Sequence, residues 1–332
     1  MRPFDPFFRN PHLATMAGNF WSRPPVEQQW PVESVVYRTE PEVQVLVHTQ
    51  RPSAEPKGEI LIVHGLEGSS LSGYARSMAY AALERSYSAS RFNLRSCGGT
   101  EHLAITSYHA GQTSDLLSVL RQRREATGQC LFLAGFSLGG NIALKLAGEL
   151  GDSAGELLSG VCAVSTPIDL ATCAAALDRP QNFIYQNRFV TRLKDRIRRR
   201  HLQAPDLYTL EHLPKIHSII DFDNHYTAPL FGFGTAANYF RTQSSGQFLE
   251  RIRVPTLLVQ AQDDPLIPFS IYGHTAFASN PNLRLVAPAH GGHVGFIARR
   301  RPRFWLDELV LDWVEEISNL IRLNKPAPIR VS

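Results

Sequence analysis

Apolar positions fall into two alternating patterns. Glu59–Val63 (EILIV) is a short continuous apolar run, as expected of a strand covered on both faces. Cys130–Phe136, Leu158–Val164, Val254–Gln260 and Leu283–Val286 read the same way, and Ser90–Leu94 reads as a further strand. Val32–Arg38 and Val43–Gln50 alternate apolar and polar residues, which predicts a strand pair. Between them lie helical patterns: Tyr74–Arg85, Thr113–Arg124 with Leu116, Leu117 and Leu120 on one face, Leu138–Leu150, and a segment near Phe269–Ala278. Near the end, Leu306, Leu309, Val310, Trp313, Ile317 and Leu320 mark one face of a final helix. Strands alternating with helices imply crossover connections and a mostly parallel sheet. The alternation stops between Thr166 and Glu250, where the chain is helix-like, aromatic and basic. The first thirty residues are rich in Pro, Phe and Asn and lack a clear period, which predicts an irregular arm packed on the body. The expected organisation is an arm (1–30), an α/β core (31–165 and 251–325) and a helical cap inserted at 166–250.

Composition narrows the class. The chain has 332 residues, of which 43% are hydrophobic and 19% charged. That excludes a disordered, collagenous or coiled-coil protein. The formal charge of +4 is spread over the whole length, so no nucleic-acid partner is expected. Cys97, Cys130, Cys162 and Cys173 form no CxxC pair and read as structural thiols of a reducing compartment. No signal-peptide core and no transmembrane run is visible, which points to a cytoplasmic protein.

The sharpest chemical signal is Gly135-Phe136-Ser137-Leu138-Gly139, a G-x-S-x-G between a buried strand and a good helix. Glycines on both sides let the turn close, and the helix that follows aims its first amides at the serine hydroxyl. A serine needs a base, and the base needs an orienting acid. Asp263 and Asp264 follow the strand ending at Gln260, and His290 and His293 follow the strand ending at Val286. The D-x-x-I-P spacing favours Asp264 as the acid, with Asp263 capping the turn. The preceding glycines and the apolar Val294-Gly295-Phe296 favour His293 as the base. A zinc reading of His290-x-x-His293 lacks a third soft ligand. The loop His64-Gly65-Leu66-Glu67-Gly68 follows the first core strand, where amide donors for an oxyanion belong. The Leu66 and Leu138 amides are the candidate donors, and His64 reads as a loop-shaping residue.

On these residues the chain resembles the α/β-hydrolase superfamily, and within it the YheT-like branch related to animal lipid-handling hydrolases. The likeness extends to Asn10-Pro11-His12-Leu13-Ala14-Thr15, to Phe92 through Gly99 (where Ser96 replaces the usual Gly), to Tyr108-His109-Ala110-Gly111, and to Asp263-Asp264-Pro265. In the insertion, Phe222-Asp223 and Tyr239-Phe240 through Ser244-Ser245 look like the branch's cap signature. The resemblance implies a triad of Ser137, Asp264 and His293, ester hydrolysis without a cofactor or metal, and a small-molecule ester substrate, lipid-like esters included. No H-x-x-x-x-D acyltransferase motif is present.

The expected activity is carboxylic ester hydrolysis, with thioester or lipase-type hydrolysis on the same triad as the alternative. A ligand-binding protein without turnover is the reading from another class. Phe183, Tyr185, Phe189, Phe222, Tyr226, Phe231, Phe233, Tyr239 and Phe240 are expected mainly to build the insertion's own core, with a minority lining the substrate pocket. Arg192, Lys194, Arg196, Arg198, Arg199 and Arg200 read as a solvated basic face, with peripheral contact to anionic lipid as the alternative.

Overall fold

A computed structural model describes residues 3–129 and 131–323. An eight-stranded sheet runs in the order β1-β2-β4-β3-β5-β6-β7-β8. β1 (Glu33–Glu40) and β2 (Val43–Gln50) form an antiparallel edge. The other strands are mutually parallel: β3 (Glu59–Val63), β4 (Ser88–Phe92), β5 (Leu131–Phe136), β6 (Gly160–Val164), β7 (Thr256–Val259) and β8 (Leu283–Val286). Every residue of β3, β5 and β6 is buried, which is the origin of their continuous apolar runs. β4 is equally buried but reads Ser-Ala-Ser-Arg-Phe. Most of its polar groups are paired in place: Ser90 meets Thr49 at 2.8 Å, and the Arg91 terminal nitrogens donate to Glu27 at 2.9 Å and Gln50 at 3.0 Å. The strand therefore starts two residues before the expected Ser90–Leu94.

The helices before the insertion are α1 (Pro11–Phe20), α2 (Val26–Gln29), α3 (Gly73–Glu84), α4 (Ser114–Thr127) and α5 (Leu138–Leu150). Between β6 and β7 come α6 (Leu170–Leu177), α7 (Phe183–His201), α8 (Ile219–Phe222), α9 (Ala228–Leu230) and α10 (Ala236–Gln243). α11 (Ala276–Ser279) and α12 (Trp305–Leu323) complete the chain. Leu116, Leu120, Ile142 and Leu146 of α4 and α5 cover one face of the sheet. Met78, Ala82, Leu309 and Val310 of α3 and α12 cover the other. The helices between β6 and β7 bury side chains of their own, around Leu193, Ile197, Tyr208 and Ile216 and around Leu170, Ala236 and Tyr239.

Three expectations need correction. The N-terminal segment is not irregular throughout: α1 is a ten-residue helix, capped by Asn10, whose side chain accepts the amides of His12 and Leu13. Its apolar residues face both the body and solvent, so no clean period marks it. The helix expected near Phe269–Ala278 is a 3₁₀ turn (Phe269–Gly273) followed by the single-turn α11, because Gly273-His274 breaks the run. Leu320 of α12 is half exposed rather than part of the buried face. Cys130 and residues 324–325, expected in β5 and in the core, lie outside the described residues.

Candidate active site

β5 ends at Phe136 and α5 begins at Leu138, so the chain reverses at Ser137 alone. Ser137 takes φ 51° and ψ −121°, a region that costs a residue with a Cβ about 1–3 kcal/mol. The turn is tight on all sides. A Cβ on Gly135 would strike the Gly139 carbonyl, and one on Gly139 would strike the Val63 and His64 carbonyls. The Ser137 amide is held by the Val164 carbonyl at 2.8 Å. The hydroxyl is thereby fixed at the carboxyl edge of the sheet.

The turns after β7 and β8 bring the other two expected residues to the serine. His293 Nε2 lies 3.0 Å from Ser137 Oγ, and His293 Nδ1 lies 2.9 Å from Asp264 Oδ2. The Asp264 side chain is buried and accepts from the Leu266 amide at 2.9 Å, the Ile267 amide at 3.1 Å and Gln260 Nε2 at 3.2 Å. With Nδ1–H donating to the carboxylate, Nε2 is left as an acceptor toward the serine hydroxyl. Asp263 turns away and pairs with His290 Nδ1 at 3.0 Å, while its other oxygen accepts the Gly292 amide at 2.9 Å. The histidine loop is pinned twice more: Thr15 Oγ1 accepts the His293 amide at 2.9 Å, and Ser165 Oγ accepts the Val294 amide at 3.1 Å.

The loop after β3 faces the same spot. From Gly65 to Gly68, every amide but that of Leu66 is spent. Gly65 N–H donates to Tyr74 OH and Glu67 N–H to Tyr108 OH, both at 2.9 Å, and Gly68 N–H donates to the Gly65 carbonyl at 3.0 Å. Among the described residues no acceptor is bonded to the Leu66 amide or to the Leu138 amide at the head of α5. His64 sits beneath this loop, fully buried. Its Nε2 accepts the Leu94 amide at 3.2 Å and its Nδ1 donates to the Gly65 carbonyl at 2.8 Å. Burial brings its pKa down to about 4, so the ring is neutral at pH 7.

The basic run is not one solvated face. Arg196 and Arg200 of α7 are buried. Arg196 ion-pairs with Glu67, donates to Tyr108 OH at 2.9 Å and lies over the Tyr108 ring. Arg192 donates to the Glu67 carbonyl at 3.1 Å. Arg200 donates to the carbonyls of Glu101, Ala104 and Ile105. α7 is therefore tied directly to the Gly65–Glu67 loop.

Two cavities meet at Ser137, Leu66, Phe189, Leu266 and His293. One, of about 100 Å³, is walled mainly by apolar side chains, among them Leu138, Leu170, Leu177, Leu193 and Ile219. It includes four of the nine expected aromatics, Phe189, Phe222, Tyr239 and Phe240. The other, of about 700 Å³, is more polar and is bounded by α1, the Gly65–Ser69 loop and α7. In the apolar cavity Asp223 is an exception: burial raises its carboxyl to about 7, against a weaker opposing pull from the Thr227 hydroxyl and Arg196. Burial likewise lowers His109 to about 3. Among the described residues no group of three or more His, Cys, Asp or Glu side chains is placed to hold a metal ion.

The sequence did not point to Tyr74, Gln260, Ser165 or the roles of Thr15 and Arg196. Thr15, Ser165 and Arg196 act through hydrogen bonds between segments remote along the chain, and Tyr74 and Gln260 through bonds that no periodicity marks. The TYR-HIS-ALA-GLY pattern at Tyr108–Gly111 was visible only by resemblance; Tyr239 OH accepts the Ala110 amide at 2.7 Å, and Asn141 donates to the Ala110 carbonyl at 2.9 Å.

Residues 60–307 match the alpha/beta hydrolase family. YheT of Escherichia coli (strain K12), provisionally named an esterase, is 30% identical over 81% of this chain and 80% of its own. Phospholipase ABHD3 of Mus musculus is 28% identical over 80% of this chain and 67% of its own. Monoacylglycerol lipase of Saccharomyces cerevisiae is 29% identical over 77% and 58%. Among solved structures, the Pyrococcus furiosus esterase Pf2001 superposes with a TM-score of 0.62 at 18% identity, covering 90% of this chain and 94% of its own, a likeness of fold. The family match over most of the chain, with the identity to YheT over four-fifths of both proteins, shows that this chain belongs to the alpha/beta hydrolase family, in the branch that contains YheT and ABHD3.

Proposed function

We propose that the protein is a serine carboxylesterase acting on short- to medium-chain acyl esters. The observation that carries this is the hydrogen-bonded row Ser137–His293–Asp264, set at a strained strand-to-helix turn between two unspent amides. His293 Nε2 takes the Ser137 proton as Oγ attacks the ester carbonyl. The Leu66 and Leu138 amides receive the oxyanion as its charge develops. His293 then protonates the departing alcohol, and water, activated by the same nitrogen, releases the acid and restores Ser137. Asp264 fixes the imidazole tautomer and stabilises its charged form.

The helices of residues 166–250 act in this reading as a cap. The small apolar cavity holds the acyl group, and the wide one admits the ester. Relatives named as a phospholipase and a monoacylglycerol lipase support acyl esters as the substrate class. The described cysteines, Cys97, Cys162 and Cys173, are buried and unpaired, which supports a reducing, cytoplasmic setting. Turnover of a p-nitrophenyl ester series tests the proposal. Ser137→Ala should lower kcat by about 10⁴–10⁶ in a chain with an unchanged melting profile. A variant that keeps the wild-type rate would overturn it.

A further inference from the structure

The rim of the wide cavity carries apolar side chains with nothing packed on them. On α1, Leu13, Met16 and Phe20 fall at i, i+3 and i+7 and make a stripe on its outer face, with Phe20 73% exposed. Across the opening, Phe183 (68%) and Ile184 (72%) project from the start of α7. Leu71 projects from the loop after β3. Met16, Phe20, Leu71 and Ile184 line the cavity that also contains Ser137 and His293. Single exposed apolar residues are ordinary, but a set grouped around one opening marks a contact surface.

The same rim is positive. Arg188 and Arg192 are exposed on α7 and line the opening. Among the described residues neither has a carboxylate within ion-pair distance, whereas the nearby acids are already engaged, Asp195 by Arg198 and Glu67 by Arg196. Burial first, and the nearby Arg192 charge second, disfavour the charge on Arg188, so the two guanidinium groups lie close together. Two adjacent guanidinium groups without a carboxylate partner, one of them (Arg192) also holding the Glu67 carbonyl, ringed by apolar side chains, match a surface that is anionic above and apolar below. They do not match a second copy of this patch, which would bring its own two arginines to the contact.

We propose that this rim docks the protein on an anionic lipid surface, with Leu13, Phe20, Phe183 and Ile184 entering the headgroup–acyl boundary and Arg188 and Arg192 facing the lipid phosphates. Docking places the mouth of the wide cavity against the membrane. The significance of that placement rests on the esterase reading, but the docking itself is measured without turnover.

The test is co-sedimentation of the Ser137→Ala chain with vesicles of phosphatidylcholine alone or with added phosphatidylglycerol, at low and high salt. The bound fraction should be at least about tenfold higher on the anionic vesicles at low salt and should fall as salt screens the arginines. Arg188→Glu, and separately the pair Leu13→Ser with Phe183→Ser, should each cut binding by about tenfold. Leu13 and Phe183 do not line the cavity, so that pair, in a chain with Ser137 intact, should hydrolyse a soluble ester at the wild-type rate. Equal binding to both vesicle types, no binding at low salt, or full binding by both variants would overturn the proposal. So would a dimer in solution that Phe20→Ser dissociates, in a chain that ignores vesicles. Loss of soluble-ester turnover with vesicle binding intact would count against the esterase reading and leave the docking standing.

Discussion

Ser137 and Asp264 show how single residues commit the site. Ser137 sits at φ 51° where β5 passes into α5 through a single residue, and the residues two before and two after it, Gly135 and Gly139, have no room for a Cβ. The strand-to-helix turn at Ser137 was readable from the sequence because that steric demand leaves a local signature. The choice between Asp263 and Asp264 was less readable, since adjacent carboxylates share one loop and only their directions differ. Asp264 points inward to His293 and accepts two further amides, while Asp263 points to His290. Asp264→Asn should therefore lower kcat by about 10⁴, because the amide would stabilise the wrong imidazole tautomer. Asp263→Asn should change kcat by less than about tenfold. Steady-state kinetics of the two variants check this, and equal losses would contradict the assignment.

Among the elements, α7 and the Gly65–Glu67 loop act together. Arg196 reaches from the inserted helices into the core and closes on Glu67 and Tyr108, whose hydroxyl holds the Glu67 amide. Replacing it with methionine leaves Glu67 buried without its charge partner, at a cost of about 3–5 kcal/mol. The loosened loop would also misplace the Leu66 amide, so kcat should fall by about 10²-fold while KM moves little. Chemical denaturation and kinetics of Arg196→Met check both. Adding Glu67→Gln should recover part of the stability, and the absence of any recovery would contradict the pairing. No periodicity could have shown this. In sequence Arg196 is one of several cations in a run, and only the packing of α7 separates the buried from the solvated ones.

His64 gives the same loop a pH dependence. The folded chain refuses its proton until about pH 4, whereas the unfolded histidine takes one near 6.5. Between those values the unfolded state binds more protons, so stability is full above pH 6.5 and declines as pH falls toward 4. The effect amounts to about 3 kcal/mol. His64→Asn should lack this component, so the difference between wild-type and variant unfolding free energies should slope over that window and flatten outside it. A flat difference throughout would contradict the buried neutral ring.

At the scale of the molecule, the sheet was legible because burial on both faces writes itself as apolar runs, and the helix periods followed from one-sided burial. β4 and α1 were the exceptions, the first because its buried groups are polar and paired, the second because apolar residues occupy both its faces. That helices fill the stretch between β6 and β7 was legible from the break in alternation. Its relation to the site was not, since the apolar cavity arises where α6, α7 and α10 face the sheet's carboxyl edge, and the wide one where α1 and α7 flank it. Phe189 stands between these cavities. Phe189→Ala should move the acyl-chain optimum longer by about two carbons, each methylene being worth about 0.8 kcal/mol. An unchanged chain-length profile of kcat/KM would remove the apolar cavity from the account.

An activated serine at the meeting point of the two cavities is what the proposed esterase activity requires. The most direct measurement is reaction of the folded protein with a fluorophosphonate, read as intact mass and as the modified peptide. A single adduct on Ser137 is expected, lost in His293→Ala and slowed by orders of magnitude in Asp264→Asn. A folded protein that stays unlabelled with a small uncharged probe, or that labels elsewhere, would contradict it.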